Sequence, residues 1–243
     1  MTTAPRGDVA GLFATPGTIA EHRADGSIVL RSPEPLREGA RCTGDWLEHW
    51  ARQTPDAIFL AERDGADTPW GIMTYAGALR RVRAAASWIL AQKLSVERPV
   101  VILSDNSIDH ALLALAAIKP LHKAQIVSGR AGDADALAFR DVSATPETSE
   151  VAKAFAAVTP DTIAKFLFTS GSTGTPKAVI NTQRMLTSSQ QAKAQTWTFI
   201  EPGRGDLVIL DWLPWSHTFG ANHNFNLVLR NGGTLYVLSL IHI

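Results

Sequence analysis

The chain has 243 residues, of which 45% are hydrophobic and 19% charged, so it can bury a sizeable core. Basic and acidic residues both total 23, and this balance disfavours a nucleic-acid partner. The single cysteine, Cys42, excludes an intramolecular disulfide and a multi-thiolate metal site. No secretory signal is evident, and no apolar run approaches the ~20 residues of a membrane helix. We therefore expect a cytoplasmic protein without a membrane span.

Residues 1–40 contain scattered proline, glycine and charge, which is typical of a loosely packed leader. From residue 41 the apolar spacing becomes that of a folded domain. The elements predicted along the first 160 residues are strands at 27–31, 57–63, 99–103 and 124–129, and helices at 45–53, 74–94 and 107–118. Thr74 is a good N-cap candidate. Apart from the strand at 124–129, residues 119–160 show little regular pattern.

Strands and helices alternate again in the last third of the chain. A buried strand at 164–170 is followed by strands at 178–180, 206–215 and 234–238, and by helices at 183–197 and 218–231. Thr182 is predicted to cap the first of these helices and Gly232-Gly233 to end the second. Strands and helices in alternation predict an α/β fold.

Between two of these strands lies the stretch FLFTSGSTGTPK (166–177). Backbone N–H groups in such a turn can converge on an anion, hydroxyls add donors and a lysine neutralises charge. The P-loop pattern is not met, because Pro176 stands where its second glycine belongs and Ala178 follows Lys177. The composition indicates a phosphate-binding loop, and the alternative is a flexible Ser/Gly linker.

The segment TSGSTGTPKAV (169–179) resembles the nucleotide-binding signature of the adenylate-forming superfamily, which includes acyl-CoA synthetases, luciferases and peptide-synthetase adenylation domains. The segment 212–237 is similar to the next motif of that superfamily. Four stretches, LRSPEPL, LEHWARQTPD, PWSHTFGANHNF and NGGTLY, most resemble feruloyl-CoA synthases. The resemblance covers about 26–118 and 150–237. It implies an α/β fold that is the N-terminal, incomplete part of the large adenylate-forming domain, spanning 41–237.

This resemblance implies a ligase that converts a carboxylate and ATP to an acyl-adenylate and then, with CoA, to a thioester. The implied substrate is a hydroxycinnamate such as ferulate, and Mg²⁺ would assist. The residues implied to bind the ATP phosphates are Thr169, Ser170, Gly171, Ser172, Thr173, Gly174 and Lys177. Lys177 would also be catalytic, because it would neutralise charge on the departing pyrophosphate.

Three residues near the start of the last helix are candidates for the acyl site. By the resemblance, His217 would be catalytic and lie against the acyl carboxylate and the α-phosphate; the alternative is a hydrogen-bonded core histidine. Phe219 and His223 could face an aromatic acyl group, with His223 contacting a ring hydroxyl, or could simply pack. His217 and His223 lack a third ligand at metal-site spacing, so no metal site is predicted.

The chain departs from the superfamily pattern in two places. After Ala117 an expected strand and helical segment are missing, and the magnesium, ribose and catalytic-lysine motifs expected beyond Val237 do not follow. Residues 238–243 are predicted to be a non-native tail. One alternative is therefore a non-catalytic fragment that keeps only the phosphate loop, and another is a different acid–CoA ligase of the superfamily. We expect uncovered apolar faces on the helices at 111–118 and 220–229, low solubility, and no synthetase activity from these 243 residues alone.

Overall fold

A computed structural model describes residues 12–15, 17–63, 65, 67–92, 100–102, 104–117, 125–127, 137–169 and 177–238. The strands are β1 (Ile19–His22), β2 (Ile28–Arg31), β3 (Ile58–Glu62), β4 (Gly71–Thr74), β5 (Val101–Ile102), β6 (Gln125–Val127), β7 (Leu137–Ala138), β8 (Ile163–Thr169), β9 (Lys177–Thr182), β10 (Val208–Asp211) and β11 (Thr234–Val237). The α-helices are α1 (Thr43–Gln53), α2 (Tyr75–Ala91), α3 (Ile108–Ala116), α4 (Phe139–Val142), α5 (Ser149–Ala156), α6 (Gln183–Thr196) and α7 (Phe225–Asn231), and a π-helix (Phe219–Asn224) leads into α7.

Several helices begin at the hydroxyl residues that favour helix starts. The side-chain oxygens of Thr74, Ser107 and Thr182 each accept a hydrogen bond from the backbone N–H three residues later. Helix α7 ends at Gly232, whose φ of 70° lies in the left-handed region. A Cβ at this position would lie 2.8 Å from the Trp50 ring. Glycine is therefore required at Gly232 both by the backbone conformation and by the space available.

The central sheet has the strand order β10-β11-β3-β4. Its first three strands are parallel, and β4 runs antiparallel along one edge. Phe59, Leu60 and Ala61 of β3 are fully buried. Phe59 stacks on Tyr75 with ring centroids 4.8 Å apart, and it packs against Phe225 at 5.7 Å. The core therefore lies where β3 meets the start of α2 and the start of α7.

Three smaller sheets accompany the central one. Strands β8 and β9 form an antiparallel hairpin, β1 and β2 form another, and β5, β6 and β7 form a short parallel sheet. Within the described part of the chain, no further strand pairs with the β8–β9 hairpin. Its exposed side chains include Phe166, Phe168, Val179 and Ile180. The hairpin is thus covered much less than the central sheet.

Most predicted elements are confirmed, including the strand at 27–31 and the three capped helices. Strands β1 and β4 were not predicted, since four-residue strands give a weak alternation signal. Residues 119–160 hold more structure than expected: α4 and α5 lie there, and Val151 of α5 is buried. Residues 118–124, which include the site of the expected missing segment, lie outside the described residues.

Two predictions about covered surface were wrong. The strand at 164–170 was expected to be buried, but Phe166 and Phe168 are 42% and 64% exposed. The helices at 111–118 and 220–229 were expected to have uncovered apolar faces. Instead, residues such as Leu112, Leu113 and Val228 are fully buried, because α3 and α7 pack against the core of the central sheet. Exposed apolar side chains are found on the β8–β9 hairpin and on other strands instead, for example at Leu30 of β2 and Leu210 of β10.

Candidate active site

The β8–β9 hairpin brings together the two ends of the glycine-rich segment. Thr169, the last residue of β8, pairs with Lys177, the first residue of β9, across the antiparallel ladder. Ser170, Gly171, Ser172, Thr173 and Gly174 lie between them, outside the described residues. The Lys177 side chain is exposed. The hairpin therefore holds the first and last predicted phosphate-binding residues next to each other at one end.

The turn that follows β10 is fixed by one buried carboxylate. The Asp211 side chain accepts hydrogen bonds from the Trp215 indole N–H at 3.0 Å, from the Asn224 amide at 2.9 Å and from the Leu213 backbone N–H at 3.2 Å. Asp211 is only 1% exposed, so these donors replace the water that its charge has lost. Asn106, at the start of α3, also holds this turn, because its amide donates to Leu213 O and accepts from Trp215 N.

This turn places His217 at the beginning of the π-helix. Its backbone N–H donates to Pro214 O, and its carbonyl accepts from Ala221 N, both at 3.0 Å. Gly220 packs so closely under the turn that a Cβ there would lie 2.6 Å from Leu213 O. The imidazole of His217 is exposed and makes no hydrogen bond to another described residue. The alternative of a hydrogen-bonded core histidine is therefore wrong.

Phe219 and His223 form one aromatic surface on the π-helix. Their rings are stacked, with centroids 4.6 Å apart and planes at 6°. Phe219 is 57% exposed, and the Trp197 ring lies at 5.6 Å from His223 on the other side. Burial is the main cause that lowers the pKa of His223, and its Nδ1 lies 3.0 Å from Asn224 Oδ1. His223 is therefore largely neutral at pH 7, and its Nε2 has no partner among the described residues.

The hairpin and the π-helix are joined by side chains that the sequence did not single out. The ammonium of Lys165 on β8 donates to Ala221 O at 3.4 Å. Next to it, the Asn222 amide donates to Asn181 Oδ1 on β9 at 2.9 Å. Gln190 of α6 donates to Asn222 O at 2.8 Å. Because Lys165 and Asn181 are cross-strand partners, these bonds fix the position of His217, Phe219 and His223 relative to the hairpin.

Lys165 is an unusual lysine. It forms no ion pair with any carboxylate in the described part of the chain, and burial lowers its pKa to about 8. Its positive charge also contributes to lowering the pKa of His110, which is lowered mainly by burial. A run of apolar residues with one lysine in it, IAKFLFT, was the only sequence signal for this residue, and such a run does not show how far the lysine is buried.

The described residues contain no group of three or more His, Cys, Asp or Glu side chains that could hold a metal ion. None of their helices is both long enough and apolar enough to cross a membrane.

The family described as AMP-binding enzyme matches residues 118–241, about half of the chain, and this range includes the hairpin, the loop between its strands and the π-helix. The chain belongs to the AMP-binding enzyme family. Its resemblance to the adenylate-forming superfamily is thereby confirmed at the level of the family.

Two curated proteins are similar to part of this chain. The hybrid PKS-NRPS synthetase fsa1 of Fusarium sp. (strain FN080326) is 31% identical over 149 residues, which is 61% of this chain and 3% of the synthetase. The 3-[(3aS,4S,7aS)-7a-methyl-1,5-dioxo-octahydro-1H-inden-4-yl]propanoyl:CoA ligase of Rhodococcus jostii (strain RHA1) is 32% identical over 109 residues, or 45% of this chain and 20% of the ligase. The chain thus spans a fifth or less of these two relatives.

Solved structures show the fold. The fatty acid AMP ligase from Legionella pneumophila superposes with a TM-score of 0.64 at 16% identity, covering 83% of this chain and 40% of that one. The o-succinylbenzoate CoA synthetase (MenE) from Bacillus subtilis, in complex with its acyl-adenylate intermediate OSB-AMP, gives a TM-score of 0.62 at 16% identity, with 83% and 44% coverage. The chain therefore has the α/β fold of the adenylation domain, as predicted.

Proposed function

We propose that a protein carrying this chain uses ATP to activate a hydroxycinnamate such as ferulate and then transfers it to CoA. In the first step a carboxylate oxygen attacks the α-phosphorus, the bond from that phosphorus to the bridging oxygen breaks, and pyrophosphate leaves. In the second step the CoA sulfur attacks the acyl carbon and AMP leaves, giving the thioester. Membership of the AMP-binding family supports the first step, and the hydroxycinnamate and CoA rest on the resemblance of the sequence.

The stacked pair of Phe219 and His223 carries the proposal of an aromatic substrate. A flat, partly exposed aromatic surface next to an exposed histidine suits a planar ring whose carboxylate points towards His217. The Nε2 atom of His223 remains available for a ring hydroxyl, because Nδ1 faces Asn224. An acid without a ring would gain less from this surface.

The phosphate site rests on the hairpin. Thr169 and Lys177 lie at its end, and the hydroxyls and glycines of Ser170, Gly171, Ser172, Thr173 and Gly174 supply donors of the kind that bind phosphate oxygens. Lys177 would stabilise the charge that builds up on pyrophosphate. Mg²⁺ is proposed to shield the same charge when bound; because the described residues offer no metal-binding group, none of them is assigned to it.

The role of Lys177 is tested by Lys177→Ala. The 243-residue chain is titrated with ATP by calorimetry. ATP–pyrophosphate exchange is measured on a longer, active protein that carries this chain. We expect at least a tenfold loss of exchange, because the lost charge acts mainly in the transition state. Lys153→Ala is the matched control, since Lys153 is an exposed lysine on α5 that pairs with Glu150. An unchanged exchange rate in Lys177→Ala would remove the phosphate role from this residue.

The substrate proposal is tested with 4-hydroxycinnamate and cinnamate, which differ by one ring hydroxyl. His223→Ala should reduce the preference for the hydroxylated acid by about tenfold, the effect of one lost buried hydrogen bond. Equal losses on both acids would show that His223 only packs. If ATP binds but neither cinnamate does, another acid ligase of the family is the better assignment; ATP binding without exchange on any acid would favour the non-catalytic fragment.

A further inference from the structure

A groove lies between α1, α6 and α7. Its volume is about 290 Å³. The residues that line it are Ala40, Trp46, His49, Trp50, Thr187, Gln191, Pro202 and Arg230. Trp46, His49 and Trp50 are spaced i, i+3, i+4 on one face of α1, and Thr187 and Gln191 are spaced i, i+4 on α6. The groove is thus built from rigid helices, and its wall combines aromatic side chains with one guanidinium.

The guanidinium of Arg230 lacks an acidic partner. Its Nη1 donates to Asn231 Oδ1 at 3.0 Å and its Nη2 to Gln191 Oε1 at 3.2 Å, both neutral amide oxygens. In the part of the chain that the structure describes, Arg230 forms no salt bridge. Burial lowers its pKa, which records the loss of solvation around the charge. A guanidinium has five N–H donors, so donors remain for a ligand.

The helices on two sides of the groove, α6 and α7, contain no acidic residue. Arg184 of α6 is paired with Asp161 at 2.8 Å and does not line the groove, so Arg230 is the cation of its wall. The acidic residues of α1 are engaged elsewhere: Asp45 binds Arg41 at 2.7 Å, and Glu48 binds Arg83 at 2.9 Å. A half-buried cation that has no counterion among the described residues favours an anionic ligand.

We propose that this groove binds a small oxyanion, with the fork of Arg230 holding two oxygens and the aromatic residues of α1 holding an apolar tail. A carboxylate with a small ring matches this arrangement, and a free phosphate would share only the interaction with the guanidinium. The site goes beyond the proposed function, because it uses neither the hairpin loop nor the π-helix.

Trp50 supplies a local reporter of binding. Its indole N–H donates to the Arg230 carbonyl at 3.1 Å, so the NMR signal of this N–H responds to events at Arg230. The 243-residue chain is titrated with benzoate and, separately, with inorganic phosphate. We expect a saturable shift of the Trp50 signal with benzoate, and an affinity for benzoate at least tenfold weaker in Arg230→Gln. Arg184→Gln, which removes an equal charge from the exposed side of α6, should leave the affinity unchanged.

A second variant tests the same site by supplying Arg230 with a carboxylate from the chain itself. Gln191→Glu places a carboxylate on the side chain that already accepts from Arg230, so it should raise the melting temperature and abolish benzoate binding. Phosphate binding that is lost in Lys177→Ala but kept in Arg230→Gln belongs to the hairpin loop. The proposal is overturned if benzoate leaves the Trp50 signal unmoved, or if Gln191→Glu binds benzoate as well as the unchanged chain does.

Discussion

The central sheet and the β8–β9 hairpin are held in place in different ways. Phe59, Leu60 and Ala61 of the sheet are fully buried among apolar side chains, whereas Phe168 and Ile180 of the hairpin are 64% and 50% exposed. A two-stranded hairpin is marginally stable by itself, so this one depends on the hydrogen bonds from Lys165 and to Asn181. Packing therefore sets the stability of the fold, and a few polar contacts set the position of the candidate active site.

The largest expected effect lies in the core of the sheet. Phe59→Ala should lower the free energy of unfolding by about 3–5 kcal/mol, because it removes a buried ring that contacts Tyr75 and Phe225. Denaturant titration followed by circular dichroism measures this. Leu210→Ala, at a 58% exposed position of the same sheet, is the control and should change it by less than about 1 kcal/mol. Similar losses in both variants would contradict the description of the core.

The next effect lies in the turn that follows β10 of the central sheet. Asp211→Ala should cost about 3 kcal/mol, because it leaves the Trp215 indole N–H and the Asn224 amide without their acceptor. Asp211→Asn should cost less, since one oxygen remains to accept. Chemical unfolding of both variants checks the order. If Asp211→Ala is as stable as the unchanged chain, the carboxylate does not hold the turn before His217.

A third prediction concerns the hairpin alone and depends on pH. The pKa of Lys165 is about 8 in the folded chain and 10.5 as its ordinary value, so between these pH values the unfolded chain binds more protons. Stability should therefore rise as pH increases from 8 to 10.5, by about 2–3 kcal/mol from this group. In Lys165→Met this contribution should vanish. Unfolding curves at several pH values test it, and identical pH profiles in the two proteins would show that Lys165 is well solvated.

The smallest expected change in folding is at the exposed face of the hairpin. Phe168→Thr should alter the free energy of unfolding by no more than about 0.5 kcal/mol, because the ring makes few buried contacts. It should nevertheless reduce self-association, since exposed apolar side chains on a strand with an open edge favour aggregation. Light scattering at increasing concentration measures this. A large loss of stability would mean that the hairpin face is covered.

Local signals were sufficient for much of the fold. The caps at Thr74 and Thr182 were recognisable because a cap depends on residues three positions apart. The short strand β4 was not recognisable, because four residues give too little pattern by themselves. Its pairing with β3 is what makes it a strand.

The candidate site was only partly predictable for the same reason. His217, Phe219 and His223 follow from a contiguous motif, and the structure places His217 just before the π-helix and stacks Phe219 and His223 on it. The contact of Lys165 with Ala221 joins residues 56 positions apart, and that of Asp211 with Asn224 joins residues 13 positions apart, so neither can be read from composition or local pattern. The exposure of the hairpin was missed because the apolar pattern of β8 does not show whether another layer covers it.

The pairing of Thr169 with Lys177 has a consequence for the seven residues between them. Bringing together two chain positions this far apart costs about 2 kcal/mol of chain entropy beyond a constant term, and here the ladder of β8 and β9 already holds Thr169 next to Lys177. A ligand bound by residues 170–176 therefore does not have to bring the two ends together. Any substitution that loosens the ladder, even far from the loop, would transfer that entropy cost to binding and weaken affinity without removing a single ligand contact.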